Sequence, residues 1–228
     1  MEKWAGDRAM TDGGASRGTV EAERLRTLIE PSTTALLVQE LQNGVVGPSS
    51  LLPALADAVR ETNSLHAASA VTRAARAAGV SVIHCTAENL PDGFGANSNA
   101  RIFAAARRRG VENRPISDAV QPVADLFEAT DYVLPRFHGL SPLTGTHLDS
   151  LLRNNGTKSL VVIGVSINLA VTNLVMDAVN RSYQVVLVSD AVVGVPVEYG
   201  REVVRHTLSL IATVVTSGQL EEAWRVAP

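Results

Sequence analysis

Short apolar runs alternate with helical patterns along the chain, and this alternation limits the fold more than any other feature. Continuous apolar runs of strand length, broken by few polar residues, are typical of strands that are covered on both faces. The helical segments between them are Ala-rich or amphipathic, and several end at a glycine. The predicted strands are 34–39, 80–84, 131–134, 159–163, 184–188 and 213–216. The predicted helices are 20–30 (capped by Thr19), 51–78, 99–109, 146–154, 168–181 and 197–211.

Strands joined by helices pair in parallel through right-handed crossovers. The pattern therefore predicts a three-layer α/β/α fold with a six-stranded, mostly parallel, doubly wound sheet. The polar, glycine-containing segment 1–18 is expected to be a flexible leader, and residues 19–228 a single domain.

Composition excludes several classes of protein. Hydrophobic residues make up 46% and charged residues 19%, with a formal net charge of −3, which is typical of a globular domain. Basic residues are scattered, so no nucleic-acid partner is expected. The longest apolar stretch, 160–171, is too short to span a bilayer, so no membrane partner is expected either. The single cysteine, Cys85, excludes an internal disulfide and indicates a reducing, cytoplasmic location.

Sheets of this kind bind ligands beyond the carboxyl ends of their strands, where the strand order reverses. That rule selects Glu40, Cys85, the segment 136–138 and the segment 164–170. A carboxylate beside apolar walls, such as that of Glu40, can serve as a general acid or base, but it can equally pair with a nearby arginine. Cys85 is either a small core residue or an alternative nucleophile.

The segment 164–170 leads a strand into a helix, so its backbone N–H groups can face an oxyanion or a bound carboxylate. Ser166 and Asn168 add polar side chains there, although Asn168 can also act as an ordinary helix cap. The loop 134–146 carries Arg136, His138 and Ser141. A Ser141–His138 pair is an alternative nucleophile, and His138 is otherwise a candidate for the pocket.

Four ordered segments together resemble the isochorismatase-like hydrolase (cysteine hydrolase) superfamily over about residues 33–222. They are 35–43, 137–146, 164–171 with Asp177 and Ala178, and 188–191. Members commonly hydrolyse amides or carbamoyl groups with an Asp–Lys–Cys triad. The resemblance implies that Glu40 replaces the aspartate and Ala170 the cysteine. Arg136 is the cation nearest to the place of the lysine. A non-proline cis peptide bond is implied at Val165–Ser166.

A thioester intermediate cannot form at an alanine. The sequence therefore predicts cysteine-independent acid/base hydrolysis of a small molecule. The resemblance to family members that lack the cysteine implies a vinyl ether or a related bond as the target. Two alternatives stay open: a catalytically degenerate binding or assembly protein, and an amidohydrolase that uses another nucleophile on a C–N bond. The predicted catalytic residues are Glu40, Arg136 and His138. The predicted substrate-binding residues are Gln42, Ser166, Asn168, Leu169 and Ala170.

The metal-binding histidine pattern of some members is not recognisable after the second strand, so no metal or cofactor is expected. The resemblance implies a homodimer or homotetramer. A small-molecule substrate is expected, and Arg136 could orient one that bears a carboxylate.

Overall fold

The computed structural model describes residues 14–48, 50–108 and 117–225. The strands are β1 (Thr34–Gln39), β2 (Ser81–Ala87), β3 (Tyr132–Arg136), β4 (Ser159–Val165), β5 (Gln184–Val193) and β6 (Thr213–Val215). The helices are α1 (Gly14–Leu28), α2 (Asn43–Val46), α3 (Pro53–Glu61), α4 (Ser64–Ala77), α5 (Arg101–Arg108), α6 (Leu148–Asn154), α7 (Thr172–Asn180), α8 (Val197–His206) and α9 (Ser217–Arg225).

The six strands form one parallel sheet in the order β3-β2-β1-β4-β5-β6. The chain builds the sheet outward from β1 to β3 in one direction and from β4 to β6 in the other. The strand order therefore reverses between β1 and β4, and their carboxyl ends form the switch point at which such sheets bind ligands.

The side chains on the two faces of β1 pack into separate halves of the core, because successive side chains of a strand point to opposite sides. Leu36 and Val38 pack with residues of α3, α4 and α9. Ala35 and Leu37 pack with residues of α6, α7 and α8. Every residue of β1 is buried. Helices thus cover both faces of the sheet, and the predicted three-layer α/β/α fold is confirmed.

The number of helices differs from the prediction. The helix predicted over 51–78 is two helices, because Asn63 adopts a left-handed conformation with φ of 54° between α3 and α4. Asparagine tolerates this conformation better than most residues.

Helix α9 was not predicted, although the spacing of Leu220, Ala223 and Trp224 indicates a helix. Asp190 holds the start of α9, since Ser217 donates to its carboxylate from both N and Oγ.

The ends of other elements also differ from the predictions. Helix α1 begins at Gly14 rather than after Thr19, and α5 starts two residues later than predicted. Arg109 and Gly110, predicted to close α5, lie outside the described residues, as do residues 1–13. The division into a leader and one domain stays a prediction. Within the part of the chain that the structure describes, no helix is long and apolar enough to cross a membrane.

Gly164 fixes the approach of β4 to β1 and gives a test of the fold. Its φ is 117°, and an added Cβ would lie 2.1 Å from the carbonyl oxygen of Gln39. We expect Gly164→Ala to destabilise the protein by at least about 2 kcal/mol, because both the backbone conformation and the contact are unfavourable.

Gly218 is the matched control, since an added Cβ there meets nothing within 4 Å. In helix α9 its replacement by alanine is expected to stabilise the protein by about 0.5–1 kcal/mol. Urea unfolding of both variants measures the difference. Equal midpoints for Gly164→Ala and Gly218→Ala would contradict the close packing of β1 against β4.

Candidate active site

A cavity of about 320 Å³ lies beyond the carboxyl ends of β1 and β4. Glu40, directly after β1, forms one wall, and the turn that follows β4 forms another through residues 166 and 168–170. The remaining wall is apolar and comes from residues 52–55, Ile102, Leu140 and Val195. The volume is at the lower end of the range for small-molecule pockets. The cavity therefore occupies the switch point and suits a small ligand.

A larger groove of about 850 Å³ lies at the opposite end of the sheet. It runs between the turn Pro31–Thr33, α4 and α9, and it includes Gly79, just before β2. These residues surround the amino ends of β1 and β2. Because doubly wound sheets bind ligands at the carboxyl ends of their strands, the smaller cavity is the candidate active site.

Glu40 leaves β1 in a left-handed conformation with φ of 53°, which is uncommon for a residue other than glycine. Its N–H donates to the carbonyl oxygen of Cys85 at 3.0 Å, which ties it to β2. Unfavourable backbone conformations that persist in folded proteins cluster at functional sites. The conformation of Glu40 marks the wall that it forms as a candidate catalytic position.

Two donors bind the same oxygen of the Glu40 carboxylate. Arg136 Nη2 donates to Oε1 at 2.8 Å, and Gln39 Nε2 donates to Oε1 at 2.9 Å. Arg136 also donates from Nε to Gly139 O, and its side chain is only 6% exposed. Among the described residues, Oε2 has no hydrogen-bond partner. Glu40 and Arg136 therefore form the ion pair that the sequence analysis considered as an alternative role for Glu40. This pair lies beside the cavity.

Arg136 lies in strand β3, whereas the sequence analysis placed it in the loop after that strand. It is the last residue of β3, opposite Ala87 of β2, and it does not belong to the described cavity wall. It acts on the cavity only through Glu40. Gln39 was not predicted as a site residue, although it is the one polar side chain in an otherwise apolar run before Glu40.

The turn after β4 is built around Ser166. The peptide bond Val165–Ser166 is cis, as the resemblance implies. The N–H groups of Leu169 and Val171 both donate to Ser166 O at 3.1 Å, so these two donors are not free for an anion. Residues Ile167–Val171 form one π-helical turn before α7.

Asn168 is not the helix cap that the sequence allowed. Its Oδ1 accepts from Ser166 Oγ at 2.9 Å, and its Nδ2 donates to Val195 O at 3.0 Å. It thereby ties the turn to the segment before α8. Ser166, Asn168, Leu169 and Ala170, four of the predicted substrate-binding residues, all line the cavity.

The structure does not bring His138 to the cavity. His138 is exposed, and its ring packs against Gly145. A Cβ added at Gly145 would lie 2.5 Å from Cε1 of the His138 ring. Ser141 Oγ accepts from the N–H of Leu143, and no hydrogen bond joins Ser141 to His138 in the described part of the chain. The Ser141–His138 pair, which the sequence left open as an alternative nucleophile, therefore has no support.

Gln42 is also absent from the described cavity wall. It is fully buried, and both ends of its amide are used. Nε2 donates to Ala87 O and Ala119 O, and Oε1 accepts from Ala87 N. Gln42 joins the segment after β1 to the end of β2. Its amide is bound within the protein, so the structure gives its role in substrate binding no support, and that role stays a prediction.

Cys85 is a core residue. It is fully buried in β2, and burial raises the pKa of its thiol to about 12. A thiol that stays protonated at neutral pH is a poor nucleophile. Lys158, one of the two lysines in the sequence, precedes β4 and therefore lies at the opposite end of the sheet from the cavity.

We expect Cys85 to resist alkylation in the folded protein. Iodoacetamide at pH 7.5 should react at least about 100-fold more slowly with the native protein than with protein unfolded in guanidinium, because a buried thiol is neither ionised nor accessible. Intact-mass spectrometry over time measures both rates. Comparable rates would restore Cys85 as a candidate nucleophile.

A doubly wound sheet with a cavity at the ends of its strands is typical of α/β proteins that bind small ligands. Comparison with known families assigns the chain to one of them. The isochorismatase domain matches residues 34–219, which is most of the chain, and the chain belongs to this family. In the described residues no group of three or more His, Cys, Asp or Glu side chains is arranged to hold a metal ion.

Individual relatives agree with this assignment. The ureidoacrylate amidohydrolase RutB of Methylobacterium radiotolerans is 27% identical over 183 residues, covering 72% of this chain and 68% of that protein. A cysteine hydrolase from Pseudomonas syringae pv. phaseolicola matches with a TM-score of 0.73 at 21% identity, covering 87% of this chain and 95% of that one. The N-carbamoylsarcosine amidase of Thermoplasma acidophilum matches with a TM-score of 0.63 at 24% identity, covering 81% and 96%. These two solved structures have the same fold as this chain.

Proposed function

We propose that this protein is a small-molecule hydrolase in which water is the nucleophile and Glu40 transfers the proton. One observation carries the proposal: Glu40 is the only titratable side chain among the described residues of the cavity wall. Arg136 and Gln39 hold Oε1, which leaves Oε2 as the oxygen that exchanges a proton. Arg136 stays charged and cannot exchange one itself. It is a positioning residue.

A protein nucleophile has little support. Ala170 contributes only a methyl group, and Cys85 is buried outside the described cavity wall. Ser166 donates its hydroxyl proton to Asn168, which is not a base. A serine becomes nucleophilic when an adjacent base accepts its proton. Water bound beside Glu40 is the remaining nucleophile.

The proposed reaction on an acyl or carbamoyl C–N bond has two steps. Glu40 Oε2 accepts a proton from water as the water oxygen bonds to the carbonyl carbon. The same proton then passes to the leaving nitrogen as the C–N bond breaks, which regenerates the carboxylate and releases an acid and an amine. On a vinyl ether, Glu40 would instead protonate carbon and water would attack the resulting cation.

The names of the relatives support a C–N bond over a vinyl ether. One is a ureidoacrylate amidohydrolase and another an N-carbamoylsarcosine amidase. Both names describe cleavage next to a nitrogen. An amide or a urea is therefore the first substrate class to test for this chain.

A panel of small amides, ureas and vinyl ethers tests the proposal. We expect turnover of at least one amide or urea. Enzyme quenched with acid during turnover should show no added acyl mass, because water attacks directly. A covalent acyl adduct would contradict the water mechanism. Turnover of vinyl ethers alone would overturn the choice of bond.

A non-catalytic binding protein is the second candidate, and the Glu40–Arg136 ion pair favours it. A carboxylate held by a buried guanidinium can serve the structure alone, since removing either partner leaves an uncompensated buried charge. If no panel compound is hydrolysed but one raises the melting temperature, binding without catalysis is the better account.

A further inference from the structure

Resting on the proposed function, we infer that the cavity selects a neutral substrate with an apolar body and disfavours one that bears a carboxylate. Nine of the twelve described residues that line the cavity are apolar. Among these described residues only Ser166, Asn168 and Glu40 are polar, and both the oxygen and the nitrogen of the Asn168 amide are already bound within the protein.

The charge within the cavity also favours a neutral substrate. Among the described residues of the wall, Glu40 alone is charged, and it is acidic. Arg136, the cation that pairs with Glu40, is 6% exposed and lies behind it, with Nε bound to Gly139 O and Nη2 bound to Glu40. A substrate in the cavity therefore meets the carboxylate and not the guanidinium.

An anionic group that enters this cavity loses its water and gains no cationic partner from the described wall. Burying an unpaired carboxylate against apolar surface is far more unfavourable than burying a neutral amide that forms hydrogen bonds. Repulsion by Glu40 adds to this penalty, because the effective dielectric constant of such a site is below that of water. The carboxylate-bearing substrate that the presence of Arg136 allowed is therefore disfavoured.

The apolar wall also identifies where the selectivity can be changed. Leu169 lines the cavity and is 41% exposed, so it lies where the cavity meets solvent. A long cationic side chain at this position can keep its charged end in water while its stem covers apolar surface. Arginine there would supply the cation that the described wall lacks.

Two pairs of shape-matched compounds test the inference, each with an isopropyl group in one member and a carboxylate in the other. They are 4-methylpentanamide with succinamate, and N-isobutylurea with N-carbamoylglycine. We expect kcat/KM for the neutral member to exceed that for the anionic member by at least about 100-fold. Calorimetric binding to the Glu40→Gln protein should keep a smaller preference in the same direction, because this variant removes the repulsion by Glu40 but not the apolar wall.

The variants Leu169→Arg and Leu169→Gln separate charge from size. Leu169→Arg is expected to reduce the preference for the neutral member by at least about tenfold, because it supplies an ion-pair partner. Leu169→Gln, of similar length and no charge, should change the preference far less. An equal effect of the two variants would contradict an electrostatic origin.

The outcomes distinguish this inference from the proposed function. Equal or faster turnover of the anionic members would overturn the selectivity and leave hydrolysis standing. Binding of the neutral members without turnover would support the selectivity and overturn hydrolysis. Failure of both neutral members to bind at millimolar concentration would overturn the selectivity.

Discussion

Replacement of Glu40 by glutamine is expected to lower kcat/KM by at least about 100-fold, since positioned general acid/base groups contribute roughly 10²–10⁴ to rate. Glutamine keeps the size and the hydrogen-bonding shape of the side chain but cannot accept the proton of water. Steady-state rates on the best substrate of the panel measure the loss. Glu40→Asp, which keeps the carboxylate on a shorter arm, is expected to retain part of the activity.

Glu88 supplies the matched control. It follows β2 at the same edge of the sheet, and its carboxylate accepts from Thr86 Oγ1 at 3.0 Å, outside the described cavity wall. Glu88→Gln should change kcat/KM by less than about threefold, as expected for a group outside the reaction. Because Glu40→Gln also removes the partner of Arg136, thermal unfolding of both variants must accompany the kinetics. Equal rates for Glu40→Gln and the unmodified protein would remove Glu40 from the mechanism.

Replacement of Arg76 by methionine is expected to destabilise the fold by about 3–5 kcal/mol, the usual consequence of leaving a buried charge unpaired. Arg76 of α4 donates to Asp131 from Nε at 2.9 Å and from Nη2 at 2.6 Å. His84 Nε2 lies 3.1 Å from Asp131 Oδ2, and the Asp131 side chain is only 1% exposed. This network joins α4 and the start of β3 to β2. Urea unfolding at pH 7 measures the loss.

Arg60 and Asp57 form the control pair on the surface, with side chains 61% and 54% exposed. Arg60→Met should change the free energy of unfolding by less than about 1 kcal/mol, as is usual for exposed ion pairs. Similar losses for Arg76→Met and Arg60→Met would show that the buried network contributes little.

The same network predicts how stability depends on pH. Burial opposes ionisation of Asp131, but hydrogen bonds from Arg76, the Glu128 N–H and His84 outweigh it and lower its pKa. Burial also lowers the pKa of His84. A lowered folded-state pKa contributes stability that is complete above the unfolded value and lost as pH falls. Stability should therefore decline below about pH 6.5 through His84, and further below about pH 4 through Asp131.

The sheet could be predicted from the sequence because its strands are buried on both faces and their apolar runs are unbroken. The position of Glu40 at the strand-end site followed from the same pattern, since the topology of a parallel sheet places strand ends together. The start of α7 was harder, because the π-helical turn Ile167–Val171 separates it from β4 and Asn168 bonds to Val195 rather than to the helix.

The partners of Glu40 depend on contacts between residues distant in the chain. Arg136 reaches it only because β3 pairs with β2 so that Arg136 lies opposite Ala87. The apolar wall at residues 52–55 and Ile102 comes from helices whose positions periodicity does not fix. His138 was misplaced because Gly139 and Gly145, both with positive φ, shape its loop. These loop conformations depend on tertiary packing more than on local pattern.

The most direct measurement is a crystal structure of the Glu40→Gln protein with 4-methylpentanamide or N-isobutylurea bound. We expect the ligand in the cavity between position 40 and the turn at 166–170, with its carbonyl carbon close enough for one water to bridge it to the side chain at position 40. Its apolar end should contact Leu169 or Ile102. Density for the ligand in the groove beside α4 and α9, with the strand-end cavity empty, would contradict the account.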